Sequence, residues 1–168
     1  MFTLRCTAKL LKRLKVRPDP SPPRSTTKLG DWYANLLFVD RQQLVLCVSE
    51  VTLLPVLLPA RGHEPLAARL PSTIGEILTA LGIPEHAVRE ETDEMSTVTI
   101  AATASRSVLG SMNDFVYLFD GYWEPNETLL NVALRIAEAP CRPLKMERPS
   151  RVTAELLRLP CAARTTIP

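Results

Sequence analysis

Ser105-Arg-Ser-Val-Leu-Gly-Ser-Met-Asn-Asp-Phe-Val-Tyr-Leu-Phe-Asp120 is the stretch that best predicts the fold, because its apolar residues recur at spacings of three and four. This spacing places them on one face of a helix, and the face is wide enough to lie against a protein core. The other side of the helix is mostly polar, so the same element is also a candidate for function. The predicted core-facing residues are Val108, Met112, Phe115, Phe119 and Tyr122.

Apolar alternation and turn residues divide the rest of the chain into strands and helices on both sides of this stretch. The strands are predicted at 2–6, 28–39, 44–48, 51–58 and 97–103. The other helices are predicted at 7–15, 73–81, 84–91, 126–140 and 150–159. A capping box, Thr73-x-x-Glu76, marks the start of the second of these helices.

The three strands between 28 and 58 are predicted to form an antiparallel meander, because their connections are too short for a parallel crossover. The fold class that follows is α+β, an antiparallel sheet of about four to five strands with helices packed mainly on one face. A length of 168 residues suits one domain. We therefore predict a single domain at 1–160, with a mobile Pro-rich loop at about 17–27 and a frayed C-terminal tail at 161–168.

The composition is that of a globular protein with little net charge: 46% of residues are hydrophobic, and 20 basic against 18 acidic residues give +2. Nucleic acid is a possible partner that is not favoured, since a phosphate-binding chain is usually more basic, although a local basic patch remains open. The most apolar run, 51–60, is too short to span a bilayer, and the N-terminus lacks the apolar segment of a signal peptide. These features predict a cytoplasmic protein without a membrane contact.

No metal or cofactor site is predicted from the sequence. The cysteines form no Cys-x-x-Cys pair and have no histidine at zinc-ligand spacing, so they are interpreted as small buried hydrophobic residues. The chain has no P-loop and no Gly-x-Gly-x-x-Gly motif, and Ser111 does not lie in a Gly-x-Ser-x-Gly elbow. The cysteines concerned are Cys6, Cys47, Cys141 and Cys161.

Two stretches, 30–35 and 106–114, are polar where a core does not require it. In a strand, the first of them places Asp31, Tyr33 and Asn35 on one side, because side chains alternate. If the strand and the central helix pack together, these side chains share a cleft with polar residues of the helix. The candidate ligand-binding residues are Asp31, Tyr33, Asn35, Arg106, Ser107, Ser111, Asn113 and Asp114.

Two functions are compatible with such a set. The first is a non-enzymatic binding or regulatory module, which is favoured by the lack of a complete catalytic set. The alternative is a small hydrolase or transferase acting on an anionic or phosphorylated substrate, with Arg106 as the anion ligand and Asp31 or Asp114 as base or metal ligand. In the structural interpretation, the same residues only satisfy one another and nearby backbone groups.

Two further features could contact a partner. The predicted first helix exposes a basic face, which could bind a phosphate or an acidic partner or could simply be solvated. The apolar strand at 51–58 contains Pro55 and is predicted at a sheet edge, where it could pair with a protein partner or a second copy of the chain. The basic residues of the helix are Lys9, Lys12, Arg13, Lys15 and Arg17.

The chain resembles a family of small bacterial proteins of unknown function over roughly residues 1–158. The motifs Leu29-Gly-Asp-Trp-Tyr-Ala-Asn-Leu-Leu-Phe and Arg106-Ser-Val-Leu-Gly-Ser-Met-Asn-Asp-Phe carry this resemblance. The family's pattern often has asparagines just before the arginine, where this chain has Ala104-Ser105. The resemblance implies a bacterial single-domain protein, and it implies no activity.

Overall fold

The computed structural model describes residues 1–158, which form five strands and six α-helices. The strands are β1 (Phe2–Cys6), β2 (Trp32–Val39), β3 (Gln42–Ser49), β4 (Pro55–Pro59) and β5 (Val98–Ala102). The helices are α1 (Ala8–Leu14), α2 (Leu66–Ala80), α3 (Glu85–Asp93), α4 (Arg106–Tyr122), α5 (Leu129–Ala137) and α6 (Pro149–Arg158). The α+β fold class predicted from the sequence is confirmed.

The five strands form one mixed sheet in the order β4-β3-β2-β1-β5. The meander of β2, β3 and β4 is antiparallel, as predicted, whereas β1 runs parallel to both of its neighbours, β2 and β5. The parallel pairing of β1 with β2 is possible because residues 7–31, including α1, give the chain room to cross over. The sheet is therefore mixed, not antiparallel throughout.

Both faces of the sheet are covered at its centre. Trp32 and Tyr33 follow one another in β2 and are both fully buried. Because consecutive side chains of a strand point to opposite faces, neither face is open to solvent here. The sequence had predicted helices mainly on one face.

The central helix α4 packs on the core as the apolar spacing predicts. Val108, Met112, Phe115 and Phe119 are buried, and Tyr122 is half-buried at the end of the helix. The helix begins after Ser105, whose hydroxyl accepts a hydrogen bond from the Val108 N–H and so caps the first turn.

The predicted capping box at Thr73 is wrong, since α2 begins seven residues earlier at Leu66. The Thr73 hydroxyl donates to the Arg69 carbonyl at 3.1 Å, which is the back-bond that threonine makes inside a helix. The apolar stripe of α2 continues through Pro71, and the buried positions preserve the helical spacing on both sides of it.

Two other element starts also differ from the prediction. Thr128 caps α5 in place of Asn126, its hydroxyl accepting from the Asn131 N–H. β4 starts at Pro55 because the residues before it form a tight turn, in which Leu53 has a positive φ of 57°. Four of the five residues of β4 are buried, and α2 and α5 pack against it. The apolar side chains of this edge strand are therefore covered within the chain.

The Pro-rich segment is held to the sheet by hydrogen bonds. The Asp19 N–H donates to the Ile100 carbonyl at 2.7 Å and forms a parallel bridge beside β5. Further along, the Thr3 N–H donates to the Ser25 hydroxyl at 3.0 Å, and the Thr3 hydroxyl donates to the Pro23 carbonyl at 3.1 Å. The segment is thus anchored at several points, and its mobility stays a prediction.

The predicted frayed tail at 161–168, the end of the last helix at Leu159 and Cys161 lie outside the described residues. Within residues 1–158, no helix has both the length and the apolar character needed to cross a bilayer.

Candidate functional site

Asp31, the first residue of the predicted cleft, is held by two side chains at the start of β2. The Arg5 Nε–H donates to Asp31 Oδ2 at 2.6 Å, and the Ser25 hydroxyl donates to Oδ1 at 2.5 Å. Arg5 also donates from Nη1 to the Ala102 carbonyl at 3.2 Å. Both carboxylate oxygens are engaged and the side chain is nearly buried, so Asp31 joins β1, β2 and the Pro-rich segment.

Tyr33 links this pair to the first turn of α4. Its hydroxyl oxygen accepts from the Ser105 N–H at 3.1 Å, and the hydroxyl donates to Glu50 Oε1 at 3.4 Å. Burial and the Glu50 carboxylate raise the pKa of the Tyr33 phenol above its usual value. The phenol therefore stays protonated near neutral pH, where it acts as a hydrogen-bonding group. We call Arg5, Ser25, Asp31, Tyr33 and Glu50 the polar cluster.

A groove of about 710 Å³ opens beside the polar cluster. It is lined by charged residues of both signs, the cations Arg24 and Lys28 and the carboxylates Asp31 and Glu50. Lys28 lies 3.7 Å from a carboxylate oxygen of Glu90, so part of this charge is already matched within the chain. The groove has a mixed electrostatic character that does not favour one sign of ligand.

The remaining predicted residues lie on one strand, β2, and on one helix, α4. Asn35 accepts from the Thr7 hydroxyl at 3.0 Å, at the end of β1. Arg106 and Ser107 are exposed in the first turn of α4, next to the residue that binds Tyr33. The structure thus brings Asp31 and Tyr33 together near the start of the helix.

Ser111, Asn113 and Asp114 lie farther along α4. Ser111 is buried and donates to the Ser107 carbonyl at 3.3 Å. Ser111 and Asp114 line a small cavity of about 60 Å³ beside Cys141, while Asn113 is exposed. Asp114 follows Arg106 by eight positions, which is about 12 Å along a helix. The two residues therefore do not form one compact site.

The described residues offer neither a metal centre nor an activated thiol. No group of three or more His, Cys, Asp or Glu side chains is arranged to hold a metal ion within residues 1–158. Cys6, Cys47 and Cys141 are buried free thiols, as the sequence predicted. Burial raises the pKa of the Cys6 thiol to about 12 and that of Cys141 to about 11, so neither is a nucleophilic thiolate near neutral pH.

A basic surface forms where α1 lies beside the β2–β3 turn. The Arg13 Nε–H donates to Gln43 Oε1 at 3.0 Å, which ties the helix to the start of β3. Arg41 and Arg61 line a groove of about 340 Å³ that also contains Gln43. We define the basic surface as the exposed cations Lys9, Lys12, Arg13, Arg41 and Arg61. None of these five forms an ion pair with a carboxylate of residues 1–158.

One aromatic ring lies within the basic surface. Phe38, near the end of β2, is 59% exposed, and the Lys9 ammonium lies 4.3 Å from its ring centroid. Phe38 pairs with Gln43 across the β2–β3 ladder, and Gln43 is the residue that binds Arg13 of α1. The exposed ring therefore lies next to the contact between the sheet and α1.

Sequence reasoning identified only part of these two sites. The basic face of α1 was predicted, but Arg41 and Arg61 come from distant segments that no local pattern connects to it. Arg5 was also missed, although a charged residue between the apolar neighbours Leu4 and Cys6 of a short strand is a signal that could have identified it.

Together, the fold and its surfaces define a small α+β domain with one internally satisfied polar cluster and one unpaired basic surface. The chain belongs to the family described as domain of unknown function (DUF6933), whose model matches residues 3–152. No curated protein and no solved structure matches the chain significantly. Membership agrees with the predicted resemblance to an uncharacterised family, and it assigns no activity.

Proposed function

We propose that this protein is a non-catalytic binding module that holds a polyanionic partner on the basic surface. The observation that carries the proposal is the convergence of five exposed cations without a carboxylate partner in residues 1–158. They come from α1, the β2–β3 turn and the loop after β4, so the charge is concentrated by the fold and not by a single charge run.

Four other surface cations are paired with carboxylates, whereas others, such as Arg106 and Arg142, have no ion pair within residues 1–158 either. Lys28, Arg89, Arg148 and Arg151 each lie within 4 Å of a glutamate carboxylate. Such exposed pairs contribute little to stability, but they neutralise the local field. The five cations of the basic surface outnumber the one carboxylate of the β2–β3 turn, the exposed Asp40, so a net positive field remains that attracts a partner of opposite charge.

The enzymatic alternative has less support. A hydrolase or transferase that uses Arg106 with Asp31 or Asp114 needs these groups around one substrate. Asp31 is instead occupied by Arg5 and Ser25, and Asp114 lies about two turns of helix beyond Arg106. The polar cluster is better explained as a structural link between strands and the Pro-rich segment.

The proposal includes the bacterial and cytoplasmic setting expected from the sequence. The free thiols of Cys6, Cys47 and Cys141 support a reducing compartment, because disulfides are typical of exported proteins and rare in the cytoplasm. The bacterial origin rests on the family resemblance alone.

A charge-reversal experiment tests the proposed function. Binding of fluorescently labelled inorganic polyphosphate is measured at low salt for the wild type and for Lys12→Glu/Arg41→Glu. We expect the affinity to fall about tenfold or more. Counterion release from the polyanion drives binding, and each lost phosphate contact reduces the number of counterions released.

The matched control is Arg89→Glu/Arg148→Glu, which makes the same change in net charge at exposed positions outside the basic surface. This pair should change the affinity by less than about twofold, since exposed cations distant from the contact act only through a screened field. Equal losses in both variants would mean that only the net charge matters, and absence of binding in the wild type would refute the proposal.

A further inference from the structure

Phe38 is the penultimate residue of β2, beside the β2–β3 turn, and its ring is exposed to solvent. Trp32, Tyr33, Leu36 and Leu37 of the same strand are all buried, and the exposed ring of Phe38 contributes little to the core. An exposed aromatic ring surrounded by cations is the combination with which proteins bind the bases and backbone of single-stranded nucleic acid.

We infer that the polyanion is a single-stranded nucleic acid and that the Phe38 ring stacks on one of its bases. The inference rests on the proposed function and deepens it, because it names the partner that the basic surface takes. The Lys9 ammonium lies over the ring, Arg13 binds Gln43, which is the strand partner of Phe38, and Arg41 lies in the turn just beyond the ring.

The Lys9 ammonium that lies over the ring can be displaced by a base. An exposed cation–π contact of this kind is worth about two- to fivefold in an equilibrium constant. Stacking of a base on an aromatic ring is worth about fivefold to more than about a hundredfold in affinity. The exchange is therefore favourable, and the flexible Lys9 side chain is released to contact the phosphate next to the stacked base.

The adjoining groove offers hydrogen-bonding groups to a neighbouring nucleotide. Gln42 and Gln43 line it between Arg41 and Arg61, and its volume of about 340 Å³ lies at the small end of the range for ligand pockets. Amide side chains of this type can donate to and accept from the edge of an unpaired base. The surface is short, so we expect it to hold about four nucleotides, the lower end of known site sizes.

Two other polyanions fit the structure less well. A duplex hides its base faces within the helical stack, so it cannot use the exposed ring. An acidic protein surface would use the cations of the basic surface but would leave Phe38 without a role. The net charge of +2 also favours a short local contact over an extended nucleic-acid groove.

The test compares four labelled or competing probes on the intact chain by fluorescence anisotropy. The probes are a thymidine oligonucleotide of about 12 nucleotides, a duplex of the same length, inorganic polyphosphate, and polyglutamate of similar charge. We expect the single strand to bind most tightly, with an affinity that falls with salt by a slope of about −0.7 per phosphate contact.

The decisive variant is Phe38→Leu, which retains an apolar side chain but has no aromatic face. It should lower the affinity for the oligonucleotide by about fivefold or more, and the affinity for polyphosphate clearly less. Tyr117→Leu is the matched control, because Tyr117 is an aromatic residue with 80% exposure on α4, and it should leave the oligonucleotide affinity unchanged. Circular dichroism of both variants establishes that they fold.

The outcomes separate the inference from the proposed function. Stacking is refuted if polyphosphate binds as tightly as the oligonucleotide, or if Phe38→Leu lowers the affinity for both probes equally. In either case the basic surface remains a general polyanion site. Preference for polyglutamate would identify an acidic protein as the partner and refute the nucleic-acid inference. If none of the probes binds, both proposals are wrong.

Discussion

Glu91 shows how much depends on single residues in this fold. It is buried in α3, and its two carboxylate oxygens accept from the Lys28 and Leu29 N–H groups, each at 2.9 Å. These backbone groups belong to the segment that delivers the chain to β2. The buried carboxylate therefore fixes the loop that positions Asp31 and the polar cluster.

We predict that Glu91→Ala destabilises the protein by about 2–4 kcal/mol, because two buried backbone N–H groups would lose their acceptor. The change is measured as the free energy of unfolding in urea. Glu90→Ala, at the exposed neighbouring position, is the control and should cost less than about 1 kcal/mol. Similar values for the two variants would show that the loop does not need Glu91.

The same carboxylate gives a pH dependence of known sign. Burial raises the pKa of Glu91 above its ordinary value of 4.5, so the folded state binds the proton more tightly than the unfolded chain does. The part of the stability that depends on this proton is full below the unfolded pKa and is lost as the pH rises through the folded pKa. Relative to Glu91→Gln, which does not titrate, the wild type should therefore become less stable as the pH rises across that interval.

At the scale of elements, α2 contains a proline in its interior, where proline is disfavoured. Pro71 is the sixth residue of the helix and has no N–H to donate to the Ala67 carbonyl. The helix continues because its apolar stripe packs on the core on both sides of this residue.

We predict that Pro71→Ala stabilises the protein by about 1–2 kcal/mol. The gain comes from relieving the penalty of proline in a helix interior, which is about 3 kcal/mol relative to alanine and includes the missing hydrogen bond and the clash of the ring with the preceding turn; the larger entropy of the unfolded alanine chain reduces it. Thermal unfolding monitored by circular dichroism measures the change. A loss of stability would mean that the surrounding packing depends on the proline ring.

The elements that local periodicity specifies were predictable from the sequence, and those that depend on distant partners were not. The stripe of α4 was predicted because each residue is three or four positions from the next. The parallel pairing of β1 was not, since no local pattern records which strand lies beside it. The true start of α2 was missed because Thr73-x-x-Glu76 has the sequence pattern of a capping box. In the structure the Thr73 hydroxyl instead donates to the Arg69 carbonyl inside the helix.

The candidate site follows the same division. Asp31 and Tyr33 were predicted to share a side of one strand, and alternation alone is sufficient for that. Their partners Arg5, Ser25 and Ser105 lie elsewhere in the chain, so only the tertiary structure shows that the carboxylate is already occupied.

At the scale of the whole molecule, a chain of buried hydroxyls joins the last helix to the sheet. The Thr153 hydroxyl of α6 donates to that of Thr52 at 2.9 Å, and Thr52 donates to Ser49 at 3.2 Å. Ser49 in turn donates to the Leu29 carbonyl at 2.8 Å. Three separate parts of the chain thus meet in one buried polar path.

We predict that Thr153→Val destabilises the protein by about 0.5–1.5 kcal/mol, because the buried Thr52 hydroxyl would lose the hydrogen bond from Thr153 while it keeps the one to Ser49. Urea unfolding followed by two probes, tryptophan fluorescence and circular dichroism, measures this loss. Thr79→Val is the matched control, since the exposed Thr79 hydroxyl contacts only its own helix at the Gly75 carbonyl. An unchanged stability in Thr153→Val would show that α6 docks through its apolar residues alone.

The place of β1 in the sheet has a consequence for how the protein is made. β1 contains residues 2–6, yet its two neighbours are β2, which starts at residue 32, and β5, which ends at residue 102. Because synthesis runs from the N-terminus to the C-terminus, β1 leaves the ribosome before β5 and keeps one unpaired edge until about two thirds of the described residues have been synthesised. During this interval the open edge of β1 presents unpaired backbone N–H and C=O groups, so we expect chaperone binding to raise the yield of folded protein.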